Sequence, residues 1–243
     1  MASKSEVGHA KNVANFQDLI AFINGYGATY NPSKNSLTLT ELNALYTQAN
    51  ASLNAVVNKK TEYNNAVNQR AEAFSDLRTL STRLVNALDA TDATKEKIED
   101  AQGFNRKLQG IRASKIEEPL DPNLPAPKTN SSSQQSYDQL IQHFEGLISV
   151  LISEPTYTPN ETDLQVATLQ TKLENLKDNN QRVSNANVEI SNTRLERNKV
   201  LYKEDNGLVD TAAEAKKYIK SVFGASSPEF AQIKGIAFKN ITA

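Results

Sequence analysis

The side chains that most often carry out chemistry are scarce in this chain. It has two histidines, His9 and His143, and no cysteine, which excludes thiol catalysis, disulfides and cysteine-based metal sites. The His-Glu-x-x-His pattern, glycine-rich phosphate-binding loops and the Gly-x-Ser-x-Gly nucleophile motif are absent from the sequence. We therefore expect His143 to be a partly exposed helix residue, and the protein to be no enzyme and to hold no metal or cofactor.

Polar residues that interrupt apolar stripes are the best candidates for a site. Arg70 and Arg197 occupy corresponding stripe positions in two long segments, and Asn180 and Asn187 interrupt the second stripe. A guanidinium buried alone is costly, so each arginine must be paired or must reach water. Two interpretations stay open, a polar layer that fixes helix register or a site for an anion or a partner protein. The glutamates considered as partners are Glu62, Glu189, Glu72 and Glu196.

Charge and hydropathy limit the partners that the chain could have. The 27 basic and 28 acidic residues give a net charge of −1, which argues against nucleic acid and anionic lipid, because both need a clustered positive field. No segment approaches the ~20 apolar residues that span a bilayer. Met1 to Asn15 lacks the apolar core of a signal peptide. We expect protein partners, no nucleic acid, little membrane association and a cytoplasmic location.

A seven-residue apolar repeat predicts the elements that position these residues. One row is Leu42, Ala49, Val56, Tyr63, Arg70, Leu77 and Leu84, and the other is Tyr46, Leu53, Lys60, Val67, Phe74, Ser81 and Leu88. Eleven of these fourteen positions are apolar, which is typical of a long packed helix. At ~1.5 Å per residue, this helix would be about 60–70 Å long. The second segment has a similar stripe of Leu169, Leu173, Leu176, Val183, Ile190 and Leu201.

Internal similarity predicts two tandem copies of one helical repeat. Tyr30-Asn31-Pro32 resembles Tyr157-Thr158-Pro159, and Phe16 to Ile20 resembles Tyr137 to Ile141. We predict repeats at 1–112 and 136–243, joined by a Pro- and Ser-rich linker at 113–135. The predicted fold is all-α, an elongated antiparallel helical bundle made of two tandem three-helix repeats with long central helices.

Local signals predict where the individual helices begin and end. The first helices are expected at 13–24 and 135–152, and the third helices at 83–102 and 209–223. In the first repeat, the break before the third helix is expected either near Thr82 or near Asp89 to Asp92. Thr158-Pro159 and Asn31-Pro32 are expected to start the long helices, with Thr38 as a second possible start in the first repeat. Asn206-Gly207 should break the second long helix, and Ser227-Pro228 should start a short helix that ends at Gly235.

These features favour a non-catalytic structural or protein-interaction protein, with copies of itself as one candidate partner. A second hypothesis is a membrane-active helical protein of the pore-forming type. A third is a ligand-binding helical bundle, with its site near Asn180, Asn187 and Arg197. The long helices are rich in asparagine, a poor helix former, which indicates either a tolerant surface or side-chain ladders between helices or subunits.

Overall fold

Helices account for every regular element in the part of the chain that the structure describes. The computed structural model describes residues 8–111 and 135–241, so the predicted linker lies outside the described residues except for Gln135. The all-α prediction is confirmed. The helices are α1 (His9–Gly25), α2 (Leu39–Ala73), α3 (Leu77–Asp89), α4 (Lys95–Gln109), α5 (Tyr137–Ile152), α6 (Val166–Tyr202), α7 (Leu208–Phe223) and α8 (Pro228–Lys234). Short 3-10 turns occur at Gly27–Thr29, Asn35–Leu37 and Thr162–Leu164.

Packing divides the described residues into two compact units. Unit 1 combines residues 8–64 with 186–241, and unit 2 combines 65–111 with 135–185. Unit 1 therefore holds α1, most of α2, the last part of α6, and α7 and α8. The predicted repeats divide the chain differently, since each repeat contributes helices to both units. That the two repeats are copies of one ancestral element stays a prediction.

The core of unit 2 forms where α4 and α5 pack against each other and against α3. The buried face of α5 is Phe144, Leu147, Ile148 and Leu151, the spacing that places side chains on one side of a helix. These side chains share one core with leucines of α3 and α6. Burying each large apolar side chain contributes about 1.5–3 kcal/mol, so this face of α5 is one of the apolar surfaces that stabilise unit 2.

The core of unit 1 has the same apolar spacing on α1, where Phe16, Leu19, Ile20 and Ile23 are buried. They pack with Leu42 and Ala49 of α2, Leu201 of α6, and the buried face of α7. In burial, Phe16 therefore corresponds to Phe144. The similarity of Phe16 to Tyr137 used in aligning the repeats places these two helices in the wrong register.

One tyrosine fixes the loop before each long helix. Tyr30 Oη donates to the Leu37 carbonyl at 2.8 Å in unit 1, and Tyr157 Oη donates to the Leu164 carbonyl at 2.9 Å in unit 2. Both hydroxyls are buried, and burial raises the pKa of each to about 12. We name this contact the tyrosine anchor. Each anchor closes a loop that contains a proline, Pro32 in unit 1 and Pro159 in unit 2.

The tyrosine anchor explains one error in the predicted helix starts. Thr158-Pro159 does not begin a helix, because the chain there is held in the loop and α6 begins only at Val166. In the first repeat the alternative start is confirmed, since α2 begins at Leu39 and the Thr38 hydroxyl accepts from the Glu41 amide at 3.4 Å.

The first long helix is interrupted after Ala73, where a continuous helix to Leu88 was expected. The Ser75 hydroxyl donates to the Glu72 carbonyl at 2.7 Å, and short polar side chains of this kind compete with helical backbone bonds. The apolar stripe nevertheless continues, since Phe74, Leu77, Leu84 and Leu88 are all buried. The seven-residue repeat therefore predicted the buried face correctly but did not predict the turn between α2 and α3.

The third helix of the first repeat was expected at 83–102, with the break before it placed either near Thr82 or near Asp89 to Asp92. The second position is confirmed, because α3 ends at Asp89 and Thr94 caps the start of α4. The start at Arg83 is wrong, since Arg83 lies inside α3. Gly103 lies inside α4, and the helix ends at Gly110, which has a left-handed φ of 72°.

The breaks predicted in the second repeat are confirmed. Helix α6 ends at Tyr202, α7 ends before Gly224, and Ser227 caps α8 by accepting from the Phe230 amide at 3.0 Å. The left-handed residue at the first break is Asp205, with φ 66°, where the Asn206-Gly207 pair was expected to adopt that conformation. A glycine is required at position 207 for a different reason, which is lack of space. A Cβ there would lie 2.6 Å from the Lys203 carbonyl oxygen.

Candidate functional site

Arg70 is held in unit 2 by an amide and an aromatic ring. Its Nη1 donates to Asn180 Oδ1 at 3.0 Å, and its guanidinium carbon lies 4.0 Å from the centre of the Tyr137 ring. The same ring meets Phe74 edge-on at 4.8 Å. Cation–ring stacking of this kind contributes about 0.5–2 kcal/mol. The structure thus brings together two of the four predicted site residues, Arg70 and Asn180.

A second hydrogen bond continues from Asn180 to the start of α5. Asn180 Nδ2 donates to Asp138 Oδ1 at 2.8 Å, so the amide connects the Arg70 cation to a carboxylate. Arg70 Nε is buried and has no hydrogen-bond partner within the described residues. The nearby carboxylate disfavours an anionic ligand here, and the geometry suits a polar layer between helices better.

Arg197 lies in different surroundings in unit 1. Its Nε and Nη2 donate to Asn198 Oδ1 at 3.1 and 2.8 Å, a bond to its own neighbour in the chain. Burial lowers the pKa of Arg197. No carboxylate in the described residues forms a salt bridge with this guanidinium, so its desolvation is offset only by a neutral amide.

His9 and Tyr202 form a polar cluster close to Arg197. His9 Nδ1 and Tyr202 Oη are 2.7 Å apart, and burial, followed by the charge of Arg197, lowers the pKa of His9. The Asn12 amide donates to the Lys239 carbonyl at 2.7 Å and accepts from the Lys239 amide at 3.1 Å. These bonds fix the end of the described chain against α1, which is a structural task.

The predicted partners of the arginines were wrong. Glu62 and Glu189 bond Lys59, and Glu196 bonds Lys199. The remaining predicted site residue, Asn187, is exposed on α6. Glu72 is two positions from Arg70 and Glu196 is one position from Arg197, spacings at which helical side chains do not face each other.

Two residues at this site were not identified from the sequence, Tyr137 and Asp138. They belong to the first turn of α5, and no spacing rule links them to Arg70 because they are far away in the chain. The expected exposure of His143 was also wrong. His143 is buried on α5, burial followed by the Lys107 charge lowers its pKa, and its Nε2 has no partner in the described residues.

Comparisons with protein-family models, curated proteins and solved structures gave no significant match for this chain. The site must therefore be interpreted from its geometry alone. In the residues that the structure describes, no group of three or more metal-ligating side chains occurs. No described helix is both long enough and apolar enough to cross a bilayer.

Open grooves in unit 2 have none of the predicted site residues in their walls, although a groove of about 380 Å³ is lined by Tyr137, whose ring stacks on Arg70. One, of about 640 Å³, lies between α3 and the loop of the tyrosine anchor, and is lined by polar residues that include Arg83, Asp92 and Glu161. A second, of about 470 Å³, lies between α3 and α6. Neither is lined by Arg70, Asn180 or Asn187, so these residues do not form a ligand pocket there.

The middle of the long helices is much less buried than their ends. In α2, only Leu42 and Ala49 are buried, although the apolar stripe continues to Val67. In unit 1 the only buried residues of α6 are Ile190 and Leu201. The helix pair therefore presents two open faces here.

The first face is defined by a bridge between the two helices. Lys59 Nζ lies 2.8 Å from Glu62 Oε2 and 2.9 Å from Glu189 Oε2. Glu196 is two turns beyond Glu189 and lies on the same side of α6. We name Ala55, Lys59, Glu62, Glu189 and Glu196 the acidic face.

The second face is on α6, where Val188 and Leu195 are 55% and 57% exposed. They are seven residues, or about two turns, apart, so they lie on one side of the helix. On α2, Val57 is 62% exposed. Lys60 and Arg194 are also exposed, and Arg194 lies on a different side of α6 from Val188 because six residues separate them. We name Val188 and Leu195 the apolar face of α6.

Proposed function

We propose that this protein is a non-catalytic structural protein that acts by binding other protein molecules through the middle of its long helices. The observation that carries this proposal is the exposure of three large apolar side chains, Val57, Val188 and Leu195, in this stretch of the long helices. Exposed apolar residues that cluster with polar neighbours are typical of protein-interaction surfaces.

The energetics of the helix pair support this interpretation. A two-helix stretch with few buried side chains gains little from the hydrophobic effect, so most of its stability must come from the packed ends. Covering Val57, Val188 and Leu195 would remove apolar area from water at about 25 cal/mol per Å². A bound protein therefore stabilises the stretch that the chain itself packs least.

The other functions considered have less support. A ligand-binding bundle centred on Asn180, Asn187 and Arg197 needs these residues to converge on a cavity. Asn187 is exposed, Arg197 bonds its neighbour, and Asn180 is occupied by Arg70 and Asp138. An enzyme would need a nucleophile or base facing a substrate-sized pocket, and His143 is buried among core residues.

A photo-crosslinking amino acid placed at Val188 tests the proposal in the native source. We expect the cross-linker to capture a defined protein, identified by mass spectrometry, and expect no capture from a cross-linker at Lys217. Lys217 is an exposed residue on α7, a different helix of unit 1, so it controls for random collisions. Identical capture from the two positions, or none from either, would contradict the proposal.

A further inference from the structure

We propose that residues 236–241 form an exchangeable arm, so that the groove on α1 that holds the arm of one copy also binds the arm of a second copy. The arm follows α8, and the arm and its groove both belong to unit 1. They are separate from the exposed middle of the long helices, on which the proposed function rests.

Side-chain amides of α1 hold the backbone of the arm. The Asn12 amide bonds both the carbonyl and the N–H of Lys239, and Asn15 Nδ2 donates to the Ala237 carbonyl at 2.6 Å. In the described parts of the chain, no main-chain group bonds the backbone of 237–241. Every residue except proline offers the same main-chain donor and acceptor, so these amides select an extended backbone and suit the arm of any copy.

Alternate side chains of the arm pack on the core of unit 1. Ile236 and Phe238 are half-buried against it, whereas Ala237 and Lys239 are exposed. This alternation is typical of an extended chain. The Phe238 ring meets the fully buried Phe16 ring edge-on, with 6.5 Å between the ring centres. Bonds to the main chain combined with contacts to alternate side chains are also how proteins recognise extended peptides.

The arm is weakly fixed compared with the helices that it covers. None of residues 236–241 is fully buried, and a segment with few buried contacts opens more easily than a core helix. Gly235 precedes the arm, and a Cβ there would meet no atom within 4 Å, so the chain has room to change direction at this residue. Six extended residues reach about 20 Å, which lets the arm leave its own groove while α8 stays in place.

The groove requires an occupant of the same chemistry once its own arm has left. Asn12 is 3% exposed, and an amide in such surroundings is unfavourable without hydrogen-bond partners. Phe16 would also lose the ring that packs on it. A second copy supplies an arm with the same backbone groups and the same aromatic side chain, so it restores each of these contacts.

The arm of the same chain competes with that of a second copy. A segment tethered by a short linker acts at an effective concentration in the millimolar range, so the closed single chain dominates in dilute solution. Each copy has one arm and one groove, and two copies that exchange arms reciprocally form a closed dimer with twofold symmetry. Exchange should therefore occur at high concentration, or where a chain's own arm or groove is disabled.

Two complementary variants of the full chain test the exchange. The first, Phe238→Ala with Lys239→Pro, disables the arm and keeps the groove, because proline has no N–H for Asn12 to accept. The second, Asn12→Ala, disables the groove and keeps the arm. Gln17→Ala removes an exposed amide elsewhere on α1 and is the matched control for the second variant. Circular dichroism checks that all three keep the helical content of the wild type.

Sedimentation velocity of the mixed variants gives the result. We expect the first and second variants to form a one-to-one complex, because the released arm of one meets the empty groove of the other. The first variant mixed with the Gln17→Ala control should associate at least tenfold more weakly, since the control keeps its arm in its own groove. A mixture without a complex, or equal association with the control, would overturn the inference.

A synthetic peptide of residues 235–241 gives a second readout without any change to the chain. At millimolar excess over isotope-labelled wild type, the peptide should displace the arm. The arm amides should then exchange with deuterium at least tenfold faster in NMR spectra, while those of α1 stay protected. The same peptide with Lys239→Pro should have no effect. Arm amides that exchange no faster with the wild-type peptide would overturn the inference, and the Val188 cross-linking result would be unaffected.

Discussion

Units 1 and 2 use the same succession of elements and fix it in different ways. Each has a short helix, a loop held by a tyrosine anchor, part of each long helix, and further helices that cover the core. In unit 1 the last helix, α8, has 7 residues, whereas in unit 2 α4 has 15. The tyrosine anchor is therefore common to the two units, whereas the helices that cover the core differ in length.

The ion pairs beside the two anchors have opposite polarity. In unit 1, Lys34 of the loop bonds Glu214 of α7 at 2.6 Å. In unit 2, Asp163 of the loop bonds Arg83 of α3 at 2.5 Å. Each loop would meet a like charge if it packed on the covering helix of its own predicted repeat. Exposed ion pairs contribute little stability. The opposite charges of the two pairs therefore matter mainly because they favour packing each loop on the covering helix of the other repeat.

Alkaline pH should produce the largest effect, and the two anchor tyrosines should contribute similar shares of it. The pKa of Tyr30 and of Tyr157 is raised from 10.0 to about 12. Between these values the unfolded chain releases protons that the folded chain keeps, so stability is lost as pH rises. Each tyrosine should account for about 2–3 kcal/mol. Urea unfolding at stepwise pH measures the loss, and Tyr30→Phe and Tyr157→Phe should each reduce it by a similar share. A reduction from only one variant would show that the two anchors are not equivalent.

Gly146→Ala should give a clearer difference in stability between the two units, because it changes the packing of unit 2 alone. A Cβ at Gly146 would lie 2.3 Å from Cε1 of Phe104, so the Phe104 ring or the two helices must shift. We expect a loss of about 1–3 kcal/mol, typical of overpacking. Gly103→Ala is the matched control within α4, since its nearest neighbour is Arg106 Nη2 at 3.9 Å. It should raise stability by about 0.5–1 kcal/mol through helix propensity. Thermal unfolding followed by circular dichroism would distinguish the two, and equal effects would contradict the close approach.

Replacing the two stripe arginines, Arg70 and Arg197, should give the smallest difference in the free energy of unfolding between the two units. Arg70→Met removes a ring contact and a hydrogen bond and leaves Asn180 with one unmet acceptor, so it should cost about 1–2 kcal/mol. Arg197→Met removes a desolvated cation bonded only to its neighbour. Its effect should be within about 0.5 kcal/mol of zero. Denaturant midpoints of both variants would test this, and an equal loss would mean that Arg197 has a partner comparable to the Tyr137 ring.

Part of the candidate site could be predicted because its residues break a periodic pattern. Arg70, Arg197 and Asn180 were identified in this way, as polar residues in an apolar stripe. That Tyr137 and Asn180 contact Arg70 could not be predicted, because these contacts depend on the packing of helices that are distant in the chain. The glutamates proposed instead were chosen by position along the same or the matching helix, and that choice ignored the direction in which each side chain points.

The helical class, the apolar stripes and most of the helix ends can be predicted from the sequence alone. Each depends on residues within a few turns of one another. Caps such as Thr38 and Ser227 and the break before Gly207 act locally. Only the tertiary structure decided which helices share a core, where the tyrosine anchors delay the long helices, and which sides of the long helices stay open to solvent. Those outcomes depend on contacts between segments far apart in the chain, and an apolar stripe specifies that a face is buried without specifying what covers it.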